Sequence, residues 1–423
     1  MVVLMHCLKM TYQIYLMKGS DNMKIKVGVI FGGESVEHEV SIISAVQAME
    51  HMNQEKYDII PIYISKDRTW YAGKMLMDID VFKNFDDLKK FAKRVTMVKK
   101  GDKFYLQKVN GLFRRDITDI DIAFPIVHGN NVEDGSLQGY LDSIGIPYVG
   151  SKVLGSALGQ DKVIMKQVFK CADLPIVEYT WFYDNEYIEN KDNILNNIKK
   201  LGYPVVVKPA TLGSSVGITF VKDDSSINSA IEEAIKYDKK IVVEKAIENL
   251  TEVNCSVLGN YMHQDVSALE EVMSEHNLLT YQDKYIGGSK GKLKGGFKNI
   301  GSKGMASASR VIPARISDEL EKEIKEISKK AFSALNLSGL CRIDYLIDKK
   351  KNKVYINEPN TIPGSLAFYL WEPIGKNYEQ LLDDMINIAI KEYKNKLKKT
   401  YSFDTNILSN YNGIKGSKGK LKR

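Results

Sequence analysis

No stretch of the 423 residues approaches the ~18 uninterrupted apolar residues that a membrane helix needs, so the chain offers no span. Cysteine is scarce: Cys7, Cys171, Cys255 and Cys341 are the only four, with no C-x-x-C pair and no Cys/His cluster at zinc spacing. That excludes a structural zinc site and a disulfide framework, and reduced thiols in the cytoplasm are expected. Residues 1–22 lack the charged, apolar, small-residue order of a signal peptide. Met23 stands directly before a strand-like run, so 1–22 is expected to be a disordered extension. The body of the chain is close to neutral in net charge. The formal net charge of +7 is carried by the tail after Gly413 and by a basic stretch from Lys284 to Lys303. Without a basic folded face interleaved with aromatics, nucleic acid is not an expected partner.

What remains is ordinary in composition, 44% hydrophobic and 27% charged, and long enough for two or three cores. From Lys24 the pattern runs strand (KIKVGVIF), Gly-Gly turn, helix (EVSIISAVQAMEHM), strand (YDIIPIYIS) and strand (IDIAFPIVHG). Such alternation predicts an α/β domain with a largely parallel sheet over 23–149, its ligands beyond the strand carboxyl ends. A second unit, 150–250, holds the helix SALGQDKVIMKQVFK and strands at VVVKP, GITFV and IVVEK. A third, 251–396, holds VNCSVLGN, a glycine-rich basic stretch, a long helix and the strands LCRIDYLID and KVYINEPN. A basic tail occupies 397–423.

The best local chemical signal is that last strand pair. Arg342 and Asp344 are two apart and share a strand face, as do Glu358 and Asn360. KKKNK supplies a polar turn, so the strands can run antiparallel and bring two carboxylates and an amide oxygen together. Hard oxygen donors of this kind suit Mg²⁺; an ordinary surface hairpin with an ion pair fits the spacing equally well. In KPATLGSSVGI a strand delivers Lys208 to a loop with Gly213, Ser214, Ser215 and Gly217. Glycines there would let backbone N–H groups approach phosphate oxygens. The loop has neither a Walker GK[ST] ending nor G-x-G-x-x-G, and by itself it is a plain hairpin turn as readily. Glu244 ends the strand IVVEK, with Glu252 eight residues on; such carboxylates suit an adenine amino group or ribose, or simply solvent. Glu37 stands at a helix start beside the Gly-Gly turn, either as a dipole partner or as the holder of a substrate ammonium. His128 ends FPIVHG as a strand-end polar residue or a substrate contact.

Taken together, GGESVEHEVS, HGNNVEDGSLQG, GIPYVGS, SALGQDK, VVVKPATLGSSVG, IVVEK, YQDKY, CRIDYLID and YINEPNTIPG resemble the D-alanine–D-alanine ligase family, in family order from Lys24 to Tyr393. The resemblance implies an ATP-grasp fold: an N-terminal α/β domain, then two lobes that sandwich ATP. It implies ligation of two D-alanines through a D-alanyl phosphate for peptidoglycan precursors, by a cytoplasmic homodimer using ATP and Mg²⁺, two ions, with Mn²⁺ as the alternative. It gives Glu37, Ser214 and Tyr285 as a hydrogen-bonded set closing the site, and Arg342 with the Gly364 N–H as stabilisers of the tetrahedral intermediate. Lys162, Lys208, Ser215, Glu244, Lys245, Ala246, Ile247 and Glu252 would contact ATP. Asp344, Glu358 and Asn360 would hold the metal, and Lys284 and His128 would meet substrate. Residues 281–310 would form a lid. The lid is longer and more basic than the family pattern. SLAFYLW also replaces the usual Phe-Thr or Met-Thr segment, putting Tyr369, followed by Leu370, where a serine usually meets the second substrate. D-alanine–D-serine ligation, or another ATP-grasp joining of carboxylate and amine, is the alternative.

Overall fold

The computed structural model describes residues 24–109, 115–129, 131–213, 216–273 and 310–402. The expected extension 1–22, nearly all of the expected lid and most of the basic tail lie outside the described residues, as do Ser214, Ser215, Lys284 and Tyr285. Residues 22–390 form one compact unit. The end of the chain belongs to another, in which the described part is the close of the helix Tyr378–Leu397 and its exit, where Lys398 N–H donates to the Asn395 carbonyl at 3.3 Å.

Three sheets organise the larger unit. The first has seven strands: β1 Ile25–Gly32, β2 Tyr57–Ile64, β3 Trp70–Ala72, β4 Lys93–Lys100, β5 Lys103–Lys108, β6 Asp116–Ile120 and β7 Ile122–Ile126. Their spatial order is β6-β5-β4-β3-β2-β1-β7. β2, β1 and β7 are parallel, and β1 is buried along all but its first two residues. A strand covered on both faces must be apolar throughout, which is why KIKVGVIFG reads as a continuous run. The helix His38–His51 packs beside it, burying Ile42, Ala45, Val46 and Met49. β3 to β6 extend this parallel centre antiparallel, an extension the sequence pattern does not announce. β4 alternates buried Val95 and Met97 with exposed neighbours, the signature of a sheet with one wet face.

The second sheet is antiparallel, order β10-β9-β11-β8, from β8 Tyr179–Tyr183, β9 Val205–Pro209, β10 Thr219–Val221 and β11 Lys240–Lys245. Val205, Val207, Ile231, Ile241 and Val243 fill its core. The third is also antiparallel, order β14-β13-β12-β15-β16, from β12 Leu250–Gly259, β13 Gln264–Val272, β14 Arg310–Val311, β15 Gly339–Asp348 and β16 Lys353–Asn360. The helix Asp318–Ala334 covers it. Ser317 caps that helix by accepting from Leu320 N–H, acids occupy its first turn, and Leu320, Ile324, Ile327, Ala331 and Phe332 form its buried stripe.

β15 and β16 pair as the sequence predicts, with Arg342 opposite Asn360 and Asp344 opposite Glu358. Asp348 Oδ1 accepts from the N–H groups of Lys350 and Lys351, and Asn352 takes a left-handed conformation (φ 49°), so KKKNK closes as an Asx-stabilised turn. After β16 the chain returns to the first sheet. Leu366, Leu370, Trp371, Tyr378, Leu382 and Ile386 are buried in the same core as Val29 and Ile30. No helix among the described residues is long and apolar enough to cross a membrane.

Candidate active site

Three glycine-containing loops converge at the carboxyl end of β1. Gly32 and Gly33 both have left-handed φ (94° and 92°), and a Cβ on Gly32 would lie 2.2 Å from the Ile64 carbonyl oxygen, so only glycine fits. The turn delivers Glu37 to the start of the helix His38–His51, where its N–H donates to Ser35 Oγ at 3.0 Å. Glu37 is buried, 7% exposed as a residue. It lies between two backbones: Cβ atoms on Gly129 and Gly213 would sit 3.3 and 3.2 Å from its Oε2. The loop of Ser214 therefore reaches Glu37, although Ser214 itself and Tyr285 are outside the described residues.

His128 ends the strand segment as expected, and both of its ring nitrogens are used. Nδ1 lies 2.6 Å from the Ile362 carbonyl oxygen and Nε2 3.0 Å from Ser44 Oγ. A carbonyl only accepts, so Nδ1 carries the proton and Nε2 accepts from the serine. Burial depresses the imidazole pKa, which keeps that neutral form. Beside it Glu133, a residue the motif reading passed over, accepts from Gly129 N–H at 2.7 Å and Ile362 N–H at 3.3 Å. Burial, then the Glu37 charge, push its carboxyl up to about 8.

Three buried lysines lie close by, of which Lys162 lines the same pocket as Glu37. Lys162 reaches Glu358 at 3.1 Å and donates to the Leu212 carbonyl at 2.9 Å. Lys208 donates to Glu244 Oε2 at 2.7 Å and to Asn357 Oδ1 at 3.2 Å, tying β9 to β16. Lys166, one turn after Lys162 and fully buried, sits 3.1 Å from Glu244 Oε1. Glu244, expected to meet the nucleotide or solvent, is thus clamped between two ammonium groups. Burial alone would raise its pKa, but Lys166 and Lys208 outweigh burial and bring it to about 2. Glu252 is half-buried on β12, and its charge helps to keep Lys208 protonated, after Glu244 and Glu358. At the exit of β11, Lys245 donates to the carbonyls of Gly202 and Tyr203 (both 2.9 Å) and Ala246 N–H to that of Pro204 (3.0 Å), with Ile247 half-buried next.

Glu244→Gln leaves two buried ammonium groups without their counter-charge and should cost about 3–5 kcal/mol, read from urea unfolding. In the unaltered protein the same carboxylate has a folded pKa below its ordinary value of 4.5. Its contribution is therefore complete above the ordinary value and disappears as pH falls from there toward 2. The midpoint of wild-type unfolding should drop through that window more steeply than that of Glu244→Gln.

On the hairpin, Arg342 forks onto Asp344, Nε to Oδ1 at 2.7 Å and Nη2 to Oδ2 at 2.9 Å, and Asn360 Nδ2 donates to the same Oδ2 at 3.1 Å. Arg342, Glu358, Asn360 and Gly364 line one pocket with Glu37, His128, Glu133, Lys162 and Gly213. Among the described residues no three His, Cys, Asp or Glu side chains are arranged to hold a metal ion by themselves. Asp344, Glu358 and Asn360 supply only oxygen donors and too few to enclose an ion. That set fits a magnesium-like ion completed by phosphate oxygens and water. Two expected substrate contacts, Tyr369 and Leu370, are not among the residues that line this pocket. Leu370 is fully buried in the core, and Tyr369 directs its hydroxyl to Glu270 at 3.4 Å while its ring lies under the Arg310 guanidinium, 3.8 Å away. Nothing in the sequence pairs Tyr369 with either residue.

Two antiparallel sheets joined across buried lysines, with an oxygen-donor hairpin at the mouth, are the ATP-grasp architecture. Residues 26–151 match the family model "D-ala D-ala ligase N-terminus" and residues 168–387 match "D-ala D-ala ligase C-terminus". The chain belongs to the D-alanine–D-alanine ligase family. It is 41% identical over 387 residues to the D-alanine–D-alanine ligase of Thermosipho melanesiensis, covering 91% of this chain and 98% of that protein. The ligase of Thermoanaerobacter pseudethanolicus is 37% identical over 88% of this chain and 98% of its own. Among solved structures, the VanG D-Ala:D-Ser ligase from Enterococcus faecalis superposes with a TM-score of 0.71 at 31% identity, covering 87% of this chain and all of that one. The D-alanine–D-alanine ligase from Coxiella burnetii gives 0.72 at 28%, covering 89% and 96%.

Proposed function

We propose that the protein joins two D-alanines to D-alanyl-D-alanine at the expense of ATP, in the cytoplasm and as a homodimer, to supply peptidoglycan precursors. The observation that carries this reading is that the Glu37 carboxylate shares one pocket with Arg342, Lys162 and the Gly364 backbone. Glu37 holds the ammonium of the first D-alanine, which points the carboxylate of that substrate at those cationic groups. That carboxylate takes the γ-phosphoryl group of ATP. The amine of the second D-alanine then attacks the acyl carbon, and phosphate leaves. Asp344 occupies the Arg342 Nε–H and one Nη2–H, so three of the five guanidinium N–H groups remain for the oxyanion, beside the Gly364 N–H. Donors set in place before the charge develops need no reorganisation as it does. Lys162 and Lys208 face the phosphates, with Ala246 and Ile247 at the adenine edge and Glu252 near the ribose. Asp344, Glu358 and Asn360 would hold magnesium, two ions with manganese as a substitute, and the metal would neutralise phosphate charge.

The test is ATP-dependent phosphate release with D-alanine, D-serine and D-lactate, products identified by mass spectrometry. D-alanyl-D-alanine is the expected product, and no release with any of the three would remove the reading. One observation favours D-serine as a second reading. The residue at the serine position of the family, Tyr369, turns its hydroxyl to Glu270 and stacks on Arg310, so the family's serine hydroxyl has no direct counterpart for the second substrate. A larger kcat/KM for D-serine than for D-alanine in the second position would establish it.

A further inference from the structure

The Gly364 N–H must be aimed to a fraction of an ångström if it is to meet an oxyanion, and the chain around it is strained. Ser365, Leu366 and Ala367, none of them glycine, follow one another in the left-handed region at φ 51°, 49° and 46°. That conformation is unfavourable for L-residues, and it persists only where surrounding contacts over-determine it. Those contacts come from the helix His38–His51, more than three hundred residues away in sequence. Ser44, 1% exposed on the buried face of that helix, accepts the Ser365 N–H at 2.9 Å. Its hydroxyl then has one proton to give, and His128 Nε2 stands 3.0 Å away as the acceptor fixed by the tautomer argument above. His128 Nδ1–H in turn donates to the Ile362 carbonyl at 2.6 Å, and the His128 backbone N–H donates to Ser41 Oγ at 2.9 Å, one helical turn before Ser44.

The polar chain is therefore closed. Ser365 N–H donates to Ser44, Ser44 O–H to His128 and His128 Nδ1–H to the Ile362 carbonyl. It grips the stretch Ile362–Ser365 on both sides of Gly364, with each donor directed and each acceptor used. We infer that Ser44 is a positioning residue of the reaction, which sets the direction of the Gly364 N–H by holding Ser365 from one side while orienting His128 on the other. Ser44 does not line the substrate pocket, so it touches neither substrate nor phosphate. The inference rests on the ligase reading above and on the Gly364 N–H meeting the oxyanion.

Ser44→Ala removes an acceptor from Ser365 and a donor from His128 at once. Misaiming a reacting geometry by about 1 Å costs roughly 100-fold, so kcat should fall by about 10- to 100-fold. KM for ATP and for the first D-alanine should stay within about twofold, because ground-state binding uses other groups. A purely structural loss would not produce the second expected result. Affinity for a phosphinate analogue of the tetrahedral intermediate, measured with ATP present, should weaken by the same factor as kcat. Ser44→Thr keeps the γ-oxygen and should restore most of kcat and of analogue affinity. If Ser44→Ala fails to fold by circular dichroism, Ser44→Cys, which keeps the volume and accepts weakly, is read in its place. Wild-type kcat in that variant, or a fallen kcat with unchanged analogue affinity, overturns the role of Ser44 and leaves the ligase reading standing. Absence of D-alanyl-D-alanine from the wild-type protein itself overturns both.

Discussion

Glu358→Gln should abolish turnover while the protein stays folded. Glu358 stands opposite Asp344 in the β15–β16 ladder, lines the pocket and reaches Lys162 at 3.1 Å. It carries one of the two carboxylate charges against which a divalent cation would be bound. Glutamine keeps the shape and one acceptor oxygen but removes the charge, and it leaves the Lys162 ammonium facing an amide. The loss should be at least about 1000-fold in kcat/KM, the upper range for removing one preorganised electrostatic partner. The fold should be spared because the Glu358 side chain keeps 19% of its exposure and Lys162 retains the Leu212 carbonyl. Steady-state kinetics against circular dichroism and an unfolding midpoint separate the two effects. Near wild-type activity would take Glu358 out of the reacting site.

The parts of the site that are local in sequence were legible there, and the parts that depend on distant packing were not. The hairpin of Arg342, Asp344, Glu358 and Asn360 follows from a two-residue period on each side of a polar turn, and both signals are carried by adjacent residues. Glu37 follows in the same way from a glycine turn next to a helix start. Lys166 was hidden because a lysine within VIMKQVF looks like an ordinary helix residue. Only the approach of β11 shows that it shares Glu244 with Lys208. Ser41 and Ser44, three apart on a buried helix face, were a weak signal: small hydroxyls in an apolar stripe need partners, and theirs lie at His128 and Ser365. The reach of Tyr369 to Glu270 and Arg310 has no periodicity to announce it, because it depends on how the chain after β16 folds back. Strand–helix alternation carries no information about the antiparallel run β3 to β6, because these strands follow one another in the sheet without the crossover helices that the pattern reads.

Arg342→Lys should cost nearly as much as removing the side chain, although the charge is kept. The guanidinium holds both Asp344 oxygens with two parallel N–H groups, and the remaining three are fixed in the same plane. A lysine ammonium has three donors on a flexible stem and cannot grip a carboxylate in two places while presenting others in a set direction. Asp344 would lose its orientation, and with it Asn360, which donates to the same Oδ2. The expected result is a fall of about 10²- to 10³-fold in kcat, with KM for ATP changed by far less, because the lost donors act on charge that develops only in the transition state. Arg342→Met should match or exceed that loss and also destabilise the fold by about 3–5 kcal/mol, since Asp344 would be left without its counter-charge beside a buried strand. The lysine variant should show a much smaller shift in unfolding midpoint. The pair thus separates charge from geometry: if Arg342→Lys retained wild-type kcat, the spare N–H groups of the fork would not be those that meet the oxyanion, and Gly364 would have to do so without them.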